Sequence, residues 1–356
     1  MSEQSPYALL ARRLDSLPNG FPPAEDGSHL RLLARLFTAE EAALAADLPE
    51  KPESAAVIAA RIGADPASVR NALRAMARKG LITVGKTEGG MGYALMPFVV
   101  GIYEMQSNRI DAELARLFEA YFQTTFRKAL AIQPPFHRVV PIGESVRTDL
   151  SVAPYETAAG IVSQASAWAV TDCICRKQTA LIGRPCPHPV EVCLIMADAP
   201  GAFNGRSGVK ALTREGAHEV LRLSAEAGLV HSVGNTREGH WYVCNCCICS
   251  CGILRGMAEG GIASVVAHSG FVCRVDDTSC GGCGMCEEKC PFGAITCNGT
   301  AHVDMIRCAG CGVCVTACPD QALSLSHLAG ELAPIPPADE TEWRSARATW
   351  RVQHPD

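Results

Sequence analysis

The stretch Cys280-Gly-Gly-Cys283-Gly-Met-Cys286-Glu-Glu-Lys-Cys290-Pro291 recurs 28 residues later as Cys308-Ala-Gly-Cys311-Gly-Val-Cys314-Val-Thr-Ala-Cys318-Pro319. Each copy sets three thiols at two-residue gaps, then a fourth after a three-residue gap, followed by proline. Two-residue gaps let a tight turn wrap three sulfurs around one compact object. Gly281, Gly282, Gly284, Gly310 and Gly312 let the backbone approach that object and aim N–H groups at it. Structural zinc also uses pairs of cysteines two residues apart, but not three thiols in succession closed by Cys-Pro. The pattern therefore asks, twice, for a polynuclear centre with four thiolate corners.

This repeat resembles the two-cluster bacterial ferredoxin domain, over about residues 271–327. The resemblance implies two 4Fe-4S clusters and a swap of the fourth ligand between them. It assigns Cys280, Cys283, Cys286 and Cys318 to one cluster, and Cys308, Cys311, Cys314 and Cys290 to the other. Residues 271–330 hold six Asp/Glu against three Lys/Arg, an acidic balance suited to transient docking on a basic redox partner.

Upstream lie two further groups: Cys173, Cys175, Cys186 and Cys193, then Cys244, Cys246, Cys247, Cys249 and Cys251 in CNCCICSC. Nine thiols exceed one ordinary site. They suit one or two additional iron–sulfur clusters, with all-thiolate zinc or redox-active thiols as alternatives. If CNCCICSC is extended, Cys247, Cys249 and Cys251 share one side and Cys244 and Cys246 the other. Arg176 and Lys177 either stabilise thiolate charge or form an exposed basic turn. His188 reads as a loop histidine rather than a ligand, and Cys273 and Cys297 as buried apolar residues.

All 19 cysteines fall between Cys173 and Cys318 in a chain of 356 residues. The start, MSEQSPYALLARRLDSLPNGF, lacks a basic region followed by an apolar run, and no stretch has the length of a membrane span. The expectation is a cytoplasmic protein, where reductant disfavours a disulfide framework and clustered thiols mean metal. A net charge of -5 argues against a bulk polycation for nucleic acid.

From His29 to about Met96 the chain carries no cysteine. Thr38-Ala39-Glu40-Glu41 spells a capping box, Ala55–Ile62 a short helix, and Asp65-Pro66 the start of another whose buried face is Val69, Leu73 and Met76. Leu81–Val84 and Tyr93–Met96 predict two strands around a flexible tip, GKTEGGMG. Helix, turn, helix and hairpin resemble a winged helix-turn-helix domain of the MarR-like kind. Arg70, Arg74 and Arg78, with Lys79 nearby, form a basic face, and residues 51–100 carry seven Lys/Arg against three Asp/Glu. A protein-docking role is favoured over DNA reading. Elsewhere, Met105–Ile132, Tyr155–Ala169 and Thr213–Ala227 predict helices.

The predicted organisation is α+β and multidomain. A leader (1–28) precedes a winged-helix-like domain (29–100), a helix and linker (101–150) and a cysteine-rich central α/β region (151–267). A ferredoxin-like two-cluster domain (268–330) and a tail (331–356) follow. As a whole it resembles fused iron–sulfur proteins of anaerobic bacteria and archaea, known as a sequence architecture without a defined activity. No dinucleotide fingerprint, phosphate loop or hydrolase motif appears, and no residue is assigned a catalytic role. The expectation is an electron carrier or oxidoreductase subunit passing single electrons to or from a partner oxidoreductase. The alternatives are a redox-responsive transcription regulator and a reductase with a substrate-binding upstream cluster.

Overall fold

The computed structural model describes residues 4–146, 150, 152–328 and 335–354. Pro334, the first residues of the leader and the expected linker boundary at Ser151 lie outside them. The described chain is mixed α+β and divides into two compact units. One comprises residues 1–129 and 178–184, the other residues 130–177 and 185–356.

The first unit opens with α1 (Pro6–Ser16), where a loose leader is expected. Its prolines explain the difference. Pro6 sits at the first helical position, where a missing N–H costs nothing, and Ser5 caps the helix by accepting from the Ala8 N–H. Leu10 and Leu14 are buried, each contributing on the order of 1.5–3 kcal/mol. Next come α2 (Ser28–Leu36) and α3 (Ala39–Ala46), the latter opened by the Thr38–Glu41 capping box. Then follow β1 (Glu53–Ser54), α4 (Ala55–Ile62) and α5 (Pro66–Arg78), which Asp65 caps. β2 (Ile82–Thr87) and β3 (Gly90–Leu95) pair antiparallel out to Thr87 and Gly90, and β1 adds to the far edge of β3. Most of the expected flexible tip is therefore hydrogen-bonded ladder.

The expected helix over Met105–Ile132 is broken. Asp111 accepts from the Leu114 N–H and restarts the helix as α6 (Ala112–Tyr121), which passes through a wider turn into α7 (Arg127–Ala129). Tyr103 stacks on Phe118 at 3.7 Å in an aromatic core that also holds Phe21 and Phe98.

The second unit is built on a seven-stranded sheet. Its strands are β4 (His137–Val139), β5 (Ala167–Asp172), β6 (Glu191–Ala197), β7 (Lys210–Leu212), β8 (Val230–Gly234), β9 (Tyr242–Cys246) and β10 (Val266–Ala267). Their order is β10-β4-β8-β9-β6-β5-β7, antiparallel except between β10 and β4. Helices α8 (Ala158–Gln164) and α10 (Arg214–Glu226) cover one face. There Ile161, Val162 and Leu221 pack on Val170, Leu194, Met196 and Val243. The predicted helix Tyr155–Ala169 stops at Gln164, because Ala167–Asp172 gains strand partners on both sides, and pairing overrides local propensity.

α9 (Ile174–Leu181) begins in this unit and ends among the first unit's residues 178–184, and the remainder of the second unit carries α11 (Gly252–Ala258) and two strand pairs. These are β11 (Phe271–Val275) with β14 (Leu323–His327), and β12 (Ile295–Asn298) with β13 (Thr300–Val303). Short helices α12 (Met285–Lys289) and α13 (Val313–Thr316) lie between them. In the expected tail, α14 (Glu340–Gln353) buries Trp343 and Arg347. The Trp343 Nε1–H donates to the Pro135 carbonyl at 2.9 Å, and the Arg347 guanidinium lies over the Phe136 ring.

Candidate metal centres

The duplicated run folds as a duplicated structure. Asp276 and Asp304 each accept from the backbone two residues on, at Thr278 and Ile306, and their carbonyls accept from the N–H of Cys280 and Cys308. Gly282 and Gly310 then take left-handed φ of 68° and 69°. A Cβ on Gly282 would stand 2.2 Å from the Gly299 carbonyl oxygen, and one on Gly310 2.2 Å from that of Phe271. Only glycine fits either turn, which is why the second gap residue of each run has no side chain.

Two cavities result. One is lined by Cys280, Cys283, Cys286 and Cys318. The other is lined by Cys290, Cys308, Cys311 and Cys314. The fourth cysteine of each run therefore faces the cavity of the other run. Each cavity also has a fifth thiol. Cys297 lines the first, and Cys273 the second, with its Sγ 3.6 Å from that of Cys314. Sequence reasoning treats these two as plain apolar residues, and their position beside the ligand runs is the signal it passes over. Their thiols differ in exposure: Cys283 is exposed, whereas Cys308, Cys311 and Cys314 are buried.

Burial pushes the Cys308 and Cys311 thiols up, and for Cys311 the neighbouring Cys314 adds to the shift. For Cys314 the hydrogen bond with Cys273 comes first and burial second. Four thiols so crowded ionise only with a cation among them. The donor sets and the glycine-lined approach fit 4Fe-4S clusters.

The nine upstream cysteines part differently from their order in the sequence. Six interact pairwise around a closed ring: Cys173 with Cys175 and Cys193, Cys175 with Cys251, Cys251 and Cys244 with Cys246, and Cys193 with Cys244. Strand alternation explains part of this. Leu194 and Val243 point into the helix-covered core, so Cys193 on β6 and Cys244 and Cys246 on β9 project from the opposite face. Cys173 closes β5 and leads into α9, and Cys251 caps α11. Hydrogen bonds from Cys175 and Cys193, and then the Arg176 charge, hold Cys173 well below the usual thiol range. Hydrogen bonds from Cys244 and Cys251 lower Cys246 to about 6.

The other three, Cys186, Cys247 and Cys249, converge on His188. CNCCICSC is extended only through Cys246, then turns, so the predicted grouping of Cys247, Cys249 and Cys251 on one side does not form.

Arg176 is 2% exposed, donates to the Asn245 carbonyl at 2.8 Å, and lies near Cys173, Cys247 and Cys246. Burial opposes its charge and those thiols restore it, for a net raised pKa. Lys177 instead pairs with Asp172 at 3.1 Å. Asn245, at the centre of Cys-Asn-Cys, is the residue the sequence does not flag. Its Oδ1 accepts from the His231 Nδ1–H and its Nδ2 donates to the Val192 carbonyl, both at 2.5 Å, which ties β8, β9 and β6 together beneath the thiols.

Residues 274–296 and 301–324 match the family model of the 4Fe-4S binding domain. The chain thus carries a ferredoxin-type iron–sulfur domain and binds at least one 4Fe-4S cluster. No curated protein and no solved structure matches the chain. Among the described residues no helix is long and apolar enough to cross a membrane.

Proposed function

We propose that this is an electron-transfer iron–sulfur protein. It holds one 4Fe-4S cluster with Cys280, Cys283, Cys286 and Cys318 and a second with Cys290, Cys308, Cys311 and Cys314. A further centre lies in the six-thiol ring upstream. The observation that carries this reading is the graded exposure of the thiol groups. Cys283 of the first set is exposed, whereas Cys308, Cys311 and Cys314 of the second are buried. Beside the second set, Val313 lies against Gly228, and Leu229 packs on Cys173 and Cys247. These contacts connect the inner cavity to the upstream thiols. Bound clusters would supply one-electron redox chemistry there.

The protein's own residues do the rest. Buried Cys308, Cys311 and Cys314 exclude water from the inner site, and Arg176 offsets thiolate charge at the upstream end. The redox partner docks at the Cys283 face, beside acidic Glu287 and Glu288. The setting is cytoplasmic, with the six-part domain division read from the sequence.

The first unit supports a winged-helix domain through its order of α3, β1, α4, α5, β2 and β3. A second reading, a redox-responsive regulator, is favoured by one observation: Arg70, Arg74 and Arg78 on α5 are all exposed. Lys79 is not part of that face, being paired with Glu41 at 2.7 Å.

Anaerobically purified protein decides between them. Electron transfer requires about eight irons per chain, with more if the upstream ring also holds a cluster, and, after dithionite, the broadened EPR of interacting centres. Reduction without any paramagnetic signal overturns it. Recovery of one enriched sequence from a random DNA pool promotes the regulator.

A further inference from the structure

We infer that Cys186, His188, Cys247 and Cys249 form a mononuclear zinc site separate from the six-thiol ring. The four donor atoms all lie within 4.8 Å of one another. Cys186 Sγ is 3.0 Å from His188 Nδ1, 3.1 Å from Cys249 Sγ and 3.6 Å from Cys247 Sγ, and Cys249 Sγ is 3.6 Å from His188 Nδ1.

These spacings, with the donor set, point to a single ion. A tetrahedral zinc with Zn–S near 2.3 Å and Zn–N near 2.0 Å separates its donors by about 3.5–3.8 Å. Two of the four contacts, at 3.6 Å, sit at that edge, and two, at 3.0 and 3.1 Å, lie inside it. A cubane puts four metal ions between its thiolates and must hold them further apart than a single ion does. The donor set, three cysteines and one histidine, is also a structural zinc set.

The local sequence builds half of the site in advance. In Arg184-Pro185-Cys186-Pro187-His188-Pro189, prolines on either side of both donors fix φ and remove backbone freedom, so the two side chains are presented together at little further entropic cost. The other half comes from the turn after β9, where the Cys251 N–H donates to the Cys247 carbonyl at 3.1 Å and brings Cys249 round beside Cys247. Cys186 and Cys247 are 61 residues apart, so zinc pins the proline loop onto the turn that also delivers Cys246 and Cys251 to the ring. The site closes one side of the ring without belonging to it. The inference does not depend on the electron-transfer reading, because zinc and iron are counted separately.

Metal analysis of the full-length protein, purified anaerobically, tests it. About one zinc per chain is expected alongside the iron. His188→Ala and Cys249→Ser should each remove that zinc and leave the iron content and the EPR of the reduced protein unchanged. His188→Cys should keep one metal. On cobalt loading it should show the visible bands of tetrahedral cobalt, shifted from those of the parent protein by the change of one nitrogen donor for sulfur. Four results overturn the site: zinc absent from the parent protein, zinc retained by His188→Ala, iron lost together with zinc in either variant, or thiol counting that reveals a Cys186–Cys249 disulfide.

Discussion

Cys280, Cys283 and Cys286 come from seven consecutive residues, whereas Cys173, Cys193, Cys244 and Cys251 ride on four separate segments of the chain. In the duplicated region one tight turn, repeated, supplies three donors at a time, and the only long-range element is the exchanged fourth cysteine. In the upstream region every donor group is placed by the sheet: β6 and β9 present one face, and the ends of β5 and the start of α11 close the ring. A site written in spacing stands on local backbone geometry. A site written in topology stands on the packing of the whole sheet, and here also on one buried cation.

The largest test of this contrast removes the exchanged ligand. Cys318→Ala should lower iron by about four per chain, taken from the Cys280 cavity, and turn the EPR of interacting centres into that of fewer, less coupled ones. Should the surviving signals instead belong to the Cys280 set, the exchange between cavities would be refuted.

Next in size is Arg176→Met. It withdraws a buried positive charge from among the upstream thiols and should destabilise the protein by about 3–5 kcal/mol, measured by anaerobic denaturant unfolding. The iron of the duplicated region should be retained. Equal loss of iron from both regions would mean that they are not independent sites.

A pair of glycine variants sharpens the claim that local geometry suffices for the duplicated region. At Gly284, φ is +76° and nothing lies within 4 Å of an added Cβ, so Gly284→Ala should cost about 1–2 kcal/mol from backbone strain alone. Gly310→Ala adds a clash at 2.2 Å and should lower the melting temperature further. Equal melting temperatures for the two variants would contradict the tight turn.

The smallest effect is expected outside both regions. Arg70→Ala, Arg74→Ala and Arg78→Ala, on the exposed face of α5, should each change stability by no more than about 0.5 kcal/mol. A docking role predicts that full-length protein enriches no single sequence from random DNA. If it does bind DNA, affinity should fall steeply with salt and with each arginine removed.

Much of the first unit was legible because its signals are short-range. Thr38 and Glu41 are three residues apart, Asp65 and Pro66 are adjacent, and each fixes a helix start from its own side chains. The errors fall where a distant partner wins. Ala167–Asp172 pairs with β6 and β7, and Trp343 and Arg347 bury themselves against residues more than two hundred positions earlier in the chain.

The cysteines divide by the same rule. The sequence by itself determined that two runs of four thiols are built for polynuclear centres, since gaps of two residues dictate a turn whatever surrounds it. It could count the nine upstream thiols but not sort them. Cys186 lies between Cys175 and Cys193 in the chain, yet its donor neighbours are His188, Cys247 and Cys249, because the turn after β9 brings Cys247 and Cys249 to it from 61 residues away. That choice belongs to the tertiary structure alone. Which side of a strand a thiol faces follows from residue parity, but which other thiols share that side depends on strand order, and strand order is set by the packing of residues far apart in sequence.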